Sequence, residues 1–332
     1  MDKKIAQILY FVGILSRIEP TEKTFYLDML KGSKITTPAS TIIYDAYVSK
    51  YVRAQLIGNG DKTKGNYAGR EGYNKFRVTP GKIREHYQLT ADDAAYIRAG
   101  GIAYFNGKER KAEDSLYENV ATYLKNAITS RMDLIVAELL SEGKYTADTG
   151  EEIKFDIPNV QTIKKNDVTD FKSFLRIMKE KITDYKKKSF DTPDRILIGE
   201  EIVNDLIDDE FFINQVHKLG LASVTVDEKY VAIAKVFNHL LIESEPIVDM
   251  KGVDIDIAKG NRMTMLATKR LHPAFAGVDV LDASGMPKKI ASEYIMRNDS
   301  DVLNATALFV GESCFTPIIS NPKSVVRIDV TK

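Results

Sequence analysis

The 332-residue sequence predicts an α+β fold in which one long helix is set among many short strands. Three features carry that prediction. A helical repeat runs unbroken for about 30 residues between 111 and 143. A β-rich, Gly-punctuated stretch precedes it, and short strand patterns separated by turns fill most of the chain after Val236. The composition, 44% apolar and 28% charged, is that of a folded soluble chain. Its length suits two sub-domains or one elongated domain, since single cores stop growing at about 250 to 300 residues. Cys314 is the only cysteine, which excludes an internal disulfide and a Cys-based zinc site and fits a reducing cytoplasm. Lys plus Arg and Asp plus Glu balance at 47 each, so the net charge does not describe a polyanion binder.

At the amino end, Lys3 and Lys4 followed by the apolar run Ile5 to Leu15 imitate a secretory signal. Ser16-Arg17-Ile18-Glu19-Pro20 offers no small-x-small cleavage site, and the run falls short of the roughly 20 residues that span a bilayer. The expectation is an apolar arm over 1–39 that packs on this subunit or a neighbour, with a short strand or arm at 21–37 before Pro38.

Thr41 to Tyr44 and Tyr47 to Ile57 are rich in β-branched and aromatic residues. Gly58, Gly60, Gly65, Gly69 and Gly72 follow, and Tyr73 to Leu89 resumes an extended pattern. This predicts one long hairpin with a flexible tip, within 40–95. It is cationic: Lys50, Arg53, Lys62, Lys64, Arg70, Lys75, Arg77, Lys82 and Arg84 stand against Asp61 and Glu71. A long, Gly-rich, charged hairpin has too little apolar surface to fold on itself, so it needs a surface to lie on.

In 111–143, Leu116, Val120, Leu124, Ile128, Ile135 and Leu139 form an apolar stripe, with Glu118, Lys125, Arg131 and Glu138 between them. Asp114, Ser115 or an earlier residue would cap the start, and Gly143 the end. Lys144 to Pro158 reads as a hairpin turning at Asp148-Thr149-Gly150. Asp170 to Ser189 predicts a second helix whose Lys186-Lys187-Lys188 end suits a helix carboxyl terminus. Arg195 to Ile198 predicts a buried strand, and Glu200 to Val216 an acidic helix. Residues 194–229 hold nine acids against three bases, with a dense patch at Asp205, Asp208, Asp209 and Glu210. That patch complements the basic hairpin, but two independently solvated faces are the commoner explanation of such charges. The last strands turn at Asn261, Gly285 and Asn321-Pro322 and close on Val325 to Val330.

Catalytic patterns fail on inspection. Gly60 to Gly65 has phosphate-loop spacing, but Asn66-Tyr67 stand where Lys and Ser or Thr are required. His86, His217, His239 and His272 are far apart and lack metal-ligand spacing. Asp254/Asp256 and Glu243/Glu245 alternate as half-buried strands do. Gly311-Glu312-Ser313-Cys314 lacks the closing Gly of a nucleophile elbow, and Cys314 reads as a buried apolar residue.

The order of features is more informative than any one of them. Thr21-Glu22-Lys23 with Tyr26-Leu27 and Gly32, Phe76 to Ile83, Gly143 to Thr146 with Thr149-Gly150-Glu151, Phe315 to Ile319 and Val325 to Ile328 follow one another in a set that resembles the lambda-type phage major capsid protein E family. The resemblance covers 14–332. It implies the Hong-Kong-97-like capsid fold: an amino-terminal arm (1–39), an extended loop (40–95) lying across an adjacent subunit, a peripheral domain (96–164) with spine helix 111–143, an axial domain (165–290), and return strands (291–332). It further implies a non-enzymatic major head protein, without cofactor or metal, that assembles as pentamers and hexamers into an icosahedral shell around double-stranded DNA. Scaffolding, portal and possibly decoration proteins would be its partners. The virion would be its location and the host cytoplasm its place of assembly. The nine basic hairpin residues become candidate intersubunit contacts. Two other readings remain at this point: a bacterial nanocompartment shell of the same fold, and a cytoplasmic metal-dependent enzyme using Asp254/Asp256 or Glu243/Glu245.

Overall fold

One helix serves as the reference for the other elements: α1, Ala112–Glu142, 31 residues and about 46 Å long. The structure, a computed structural model, describes residues 15, 24–46, 74–90, 103–105, 108–110, 112–146, 152–164, 171–209, 224–227, 230–236, 239–244, 247–248, 254–255, 260–281, 286–301 and 306–331. Ahead of α1 lie a 3-10 turn at Leu27–Met29, β1 (Ile35–Thr36), β2 (Ile42–Ala46), β3 (Asn74–Val78), β4 (Ile83–Leu89), β5 (Ala103–Phe105) and β6 (Lys108–Arg110). After it come β7 (Lys144–Thr146), β8 (Glu152–Lys154), β9 (Gln161–Lys164), α2 (Phe171–Ser189), β10 (Arg195–Ile198) and α3 (Glu200–Ile207). Next are β11 (Val224–Asp227), β12 (Tyr230–Val236), β13 (His239–Glu243), β14 (Ile247–Val248), β15 (Asp254–Ile255) and β16 (Arg262–Leu266). The chain closes with β17 (Leu271–Phe275), β18 (Gly277–Leu281), β19 (Pro287–Ala291), β20 (Ile295–Asp301), β21 (Thr306–Ser313), β22 (Phe315–Ile319) and β23 (Val325–Thr331).

A seven-stranded mixed sheet, ordered β11-β12-β13-β10-β16-β23-β9, forms the centre of the carboxyl-terminal half. It draws β9 from just ahead of 165 and β23 from well beyond 290, so elements distant in sequence share one sheet. Both its faces are covered. On one, Leu197, Ile242, Leu266 and Val325 pack with Ile135, Val136, Leu139 and Leu140 of α1 and with Tyr26 and Met29. On the other, Ile196, Ile198, Leu241, Met263, Met265 and Ile328 meet Phe174, Met178, Ile182 and Tyr185 of α2 and Ile202, Val203 and Leu206 of α3. Burial on both faces is why Arg195-Ile196-Leu197-Ile198 reads as an unbroken run, buried at every position. The amino half of α1 has a separate partner. Val120, Ala121 and Leu124 pack on Leu89, Met296 and Phe309 of the three-stranded sheet β20-β21-β4.

The carboxyl end of α1 is closed by side chains of the sheet. The Ser141 carbonyl accepts from Arg262 Nη1 at 2.9 Å and Arg327 Nη1 at 2.7 Å, and Arg327 Nη2 also donates to Pro158 O at 3.1 Å. Cations here oppose the negative end of the helix dipole and satisfy carbonyls that the helix itself leaves open. Gly143 follows in the left-handed region at φ 78°, where a Cβ would also crowd the Arg327 guanidinium at 3.3 Å.

Several expectations are corrected. Within 24–37 the short strand expected before Pro38 is the two-residue β1, and a 3-10 turn precedes it, because Phe25, Tyr26 and Met29 are all drawn into the core and an alternating strand could not turn all three inward. Helix α1 starts at Ala112, which excludes Asp114 and Ser115 as its cap and leaves the earlier residue. Its stripe broadens into full burial, since Met132 to Ala137 are all buried, and Asp133 is buried because it accepts from Leu27 N. Lys125, expected on a charged face, is buried and donates to Leu15 O at 2.7 Å. Helix α3 ends at Ile207, short of Val216, where Asp208 and Asp209 put negative charge against the negative end of the helix. His217, Gly285 and the turn at Asp148-Thr149-Gly150 lie outside the described residues, though β7 and β8 pair as that turn requires.

Asp191 pins the end of α2. It is buried and bonded to Arg270 Nε at 2.8 Å, Lys269 Nζ at 3.2 Å and Asn321 Nδ2 at 3.2 Å. Burial alone would raise its carboxyl pKa, but these three donors outweigh it and hold the group below the usual carboxylate range. A depressed folded pKa gives stability that is present above the unfolded value of about 4 and lost as pH falls through the folded one. Resistance of the unassembled subunit to urea should therefore fall on the acid side, and Asp191→Asn should lower stability at pH 7 while flattening that acid limb. An unchanged acid limb in the variant would remove Asp191 from the account.

Candidate subunit interface

The foot of the predicted hairpin is a two-stranded ladder, β2 against β3, in the register Ile42↔Val78, Ile43↔Arg77, Tyr44↔Phe76. Its two faces differ. Ile42 and Val78 are buried, and Ile42 and Tyr44 join a core of Ala274, Ala276, Val278, Val280, Ile295, Cys314 and Ile318. Tyr44 stacks on Phe76 at 5.6 Å, and burial pushes its phenol up to about 12. The opposite face shows Ile43, 58% exposed, beside an exposed Arg77. The chain entering this ladder is clamped. β1 pairs in parallel with β17, Thr37 N donates to Phe275 O and Gly277 N to Ala39 O, both at 3.0 Å. Gly277 is obligatory there, since a Cβ would stand 2.2 Å from the Pro38 carbonyl oxygen.

The return strand does not run on as hairpin. It breaks at Thr79-Pro80-Gly81-Lys82, where Pro80 has no N–H for the ladder, and β4 then pairs with β21 instead. This changes the surroundings of two predicted contacts. Lys82 lies 3.7 Å from Asp279, which also binds Lys289 at 2.9 Å. Arg84 is ion-paired with Glu312, which is 1% exposed and also takes Arg297 Nη1 at 3.2 Å. Lys75 sits on β3 opposite Asp45. Lys50, Arg53, Lys62, Lys64 and Arg70 fall outside the described residues, as does Glu210. In the acidic patch, Asp205 and Asp208 are exposed and Asp209 is half-buried. Lys82 and Arg84 thus meet Asp279 and Glu312 of their own chain, not the α3 acids.

Sequence reasoning missed three features. Glu312 was legible as a lone acid in an apolar strand, but only the register of β4, β21 and β20 reveals that Arg84 and Arg297 flank it. Leu281 and Met286, 57% and 63% exposed, stand at the same end of the β18–β19 pair. Phe190 follows α2 at φ 56°, where a residue other than Gly is strained by about 1 kcal/mol, and its ring is 43% exposed.

Reactive groups are accounted for locally. Cys314 is buried, and burial pushes its thiol up. His239 is buried with Nδ1 against Pro193 O, His272 binds Ser33 O and Ser320 Oγ, and His86 is exposed on β4. Among the described residues no group of three or more His, Cys, Asp or Glu is placed to hold a metal ion, and no helix is long and apolar enough to cross a membrane.

The sequence matches a known family over most of its length: the model for phage major capsid protein E aligns with residues 24–232. The chain belongs to that family. As a phage major capsid protein it is a structural subunit that self-associates into a shell and resides in the virion; it is not an enzyme. Solved structures agree on the fold. The protein assigned as the capsid protein of an E. coli CFT073 prophage superposes with TM-score 0.61 at 14% identity, over 100% of both chains. A phage-related protein of Bordetella bronchiseptica RB50 gives 0.53 at 9% identity, over 97% of this chain and 96% of that one. The capsid of cyanophage P-SCSP1u gives 0.50 at 9% identity, over 95% and 90%. No curated protein matches the sequence.

The Glu312 site makes an asymmetric prediction. Removing both cations in Arg84→Met/Arg297→Met strands a buried carboxylate and should cost about 3 kcal/mol of subunit stability, more than Glu312→Gln, which leaves two partly exposed arginines to find water. Thermal melts of unassembled capsid subunits would measure both, and equal losses would contradict the assignment of Glu312 as the buried member.

Proposed function

We propose that this capsid protein closes its shell through the segment 40–95, laid as an extended loop across an adjacent subunit. The observation that carries this reading is the one-sided foot of that segment. Ile42, Tyr44 and Val78 belong to the subunit's own core, whereas Ile43 and Arg77 face away from it. The sequence between the two strands, 47–73, supplies Lys50, Arg53, Lys62, Lys64 and Arg70; its aliphatic residues Val48, Val52, Leu56 and Ile57 follow directly after β2, and the Gly-rich 58–72 has only Tyr67 and Ala68 as apolar side chains. Lys75 and Arg77 on β3 extend the cationic stretch, and Lys82 and Arg84 tie its base to the parent subunit. The remaining parts follow the family plan: arm 1–39, peripheral domain 96–164 around α1, axial domain 165–290 meeting its copies in pentamers and hexamers, and return strands 291–332. Heterologous contacts of this kind close into rings, as a shell requires. Double-stranded DNA inside, held without sequence specificity, is consistent with zero net charge. A scaffolding protein, a portal and a decoration protein complete the set of partners, and assembly takes place in the host cytoplasm.

Electron microscopy of the full chain expressed with its assembly partners should show closed shells; persistent monomers would refute the reading. Deleting 58–72 should leave a folded, helical subunit by circular dichroism that forms no shells, and global unfolding would instead place that segment in the subunit's own core. Neutralising Lys50, Arg53, Lys62, Lys64 and Arg70 together should weaken assembly most at low salt, where exposed charges act over longer range. A loss independent of salt would point to apolar contacts.

A further inference from the structure

One end of the seven-stranded sheet gathers cations from three separate segments. β10, β13 and β23 start there and β16 ends there, in the register Arg195↔Leu240, Arg195↔Leu266 and Leu266↔Val325. The carboxyl end of α2 brings Lys186, Lys187 and Lys188, the 3-10 turn after β16 brings Lys269 and Arg270, and the 3-10 turn before β23 brings Lys323. All are exposed except Arg270, which is half-buried. The three segments are tied together from beneath. Asn321 Nδ2 donates to Ser189 O at 2.9 Å and to Asp191 Oδ2 at 3.2 Å, Tyr185 Oη donates to Ser324 O at 2.7 Å, and Ser320 N donates to Arg270 O at 2.9 Å.

Two acids stand against these six cations, and both are engaged. Asp191 is buried beneath Lys269 and Arg270, and Asp194 accepts from Thr268 N at 2.8 Å. Lys186, Lys187, Lys188 and Lys323 have no acidic partner among the described residues. A single lysine would answer the negative end of α2. The others are left to repel one another with nothing in the lone subunit to offset it. Their field reaches inward as well, since His239 at the start of β13 is held below the usual imidazole range by its burial first and by Lys186 as well, against the Pro193 carbonyl and Asp194.

We propose that this end of the sheet binds the phosphate backbone of double-stranded nucleic acid and turns toward the DNA inside the shell. This rests on the capsid reading and gives that reading a site. A patch of one sign suits a polyanion, whereas a protein partner is selected by charges of both signs that set register. Lys179 and Arg176, exposed two and three turns back along α2, extend the patch in the same sign. Contacts of this kind carry no sequence information, so any packaged sequence is held alike. The zero net charge of the chain conceals the patch, because the compensating acids lie elsewhere.

The first test measures binding of unassembled full-length subunits to a short duplex of mixed sequence, by fluorescence anisotropy across a salt series. Lys187→Gln/Lys188→Gln/Lys323→Gln keeps Lys186 on the helix end, so its melt should stay near native. It should bind about tenfold more weakly at low salt and lower the slope of log affinity against log salt by about 2 to 3. Native affinity and slope in this variant would overturn the proposal. The second test uses DNA-filled particles made by the full chain with its partners. An amine reagent too large to cross the shell should label Lys187 and Lys188 in free subunits and spare them in particles, where formaldehyde should cross-link them to DNA, both read by peptide mass spectrometry. Labelling of these lysines in intact particles would place them outside and overturn the proposal. Loss of shells by the folded triple variant would give the surface to an acidic assembly partner and also overturn it. Failure of the native chain to form shells would count against the capsid reading itself, an outcome separate from all of these.

Discussion

Two guanidinium groups on one carbonyl set the geometry of this subunit. Arg262 and Arg327 both reach Ser141 O from neighbouring strands of the sheet, and Arg262 is held in turn by Asp329. Like charges would repel at this spacing; burial and the neighbouring Arg262 accordingly push the Arg327 pKa down. The negative end of a 31-residue helix, several open carbonyls and the Asp329 carboxylate make the pairing tenable. With that end fixed, the side chains of Ile135 to Leu140 must lie on Leu197, Leu266 and Val325, and the amino half of α1 is left to project beyond the sheet and collect β4, β20 and β21. The division of α1 between two sheets follows from this one closure.

Most of the fold was legible in the sequence because its elements follow simple periods. Spacings of three and four residues placed α1 and α2 to within a residue or two, and the run at 195–198 marked a strand covered on both faces. Gly143 marked its own φ. What was not legible depended on partners far away in the chain. Lys125 is buried because a carbonyl at Leu15 waits for it, and Asp133 because Leu27 N does. No local pattern encodes either. The hairpin's return strand was overextended for the same reason: residues 83–89 alternate as a hairpin strand would, and only pairing with 307–313 assigns them elsewhere.

The candidate interface was legible as charge and not as geometry. Composition alone located the cationic stretch and the acidic patch, and their complementarity suggested that they meet. The structure separates the roles within the stretch, because Lys82 and Arg84 already bind Asp279 and Glu312 while Arg77 faces outward. Phe190 could not have been found from sequence, since its significance is a backbone angle.

The clamp at Gly277 and Pro38 has a mechanical consequence. Where backbone lies 3.0 Å from backbone, with no room for even a methyl group, the joint can neither slide nor tilt without breaking its hydrogen bonds. Tension applied along the β2–β3 ribbon is therefore delivered to β17 and β18, and through the β17–β22 ladder toward the middle of the subunit, before it can distort the helical layer. The ribbon behaves as a strap riveted at its root, so a pull on it is met first by a ladder of backbone bonds and only later by side-chain packing.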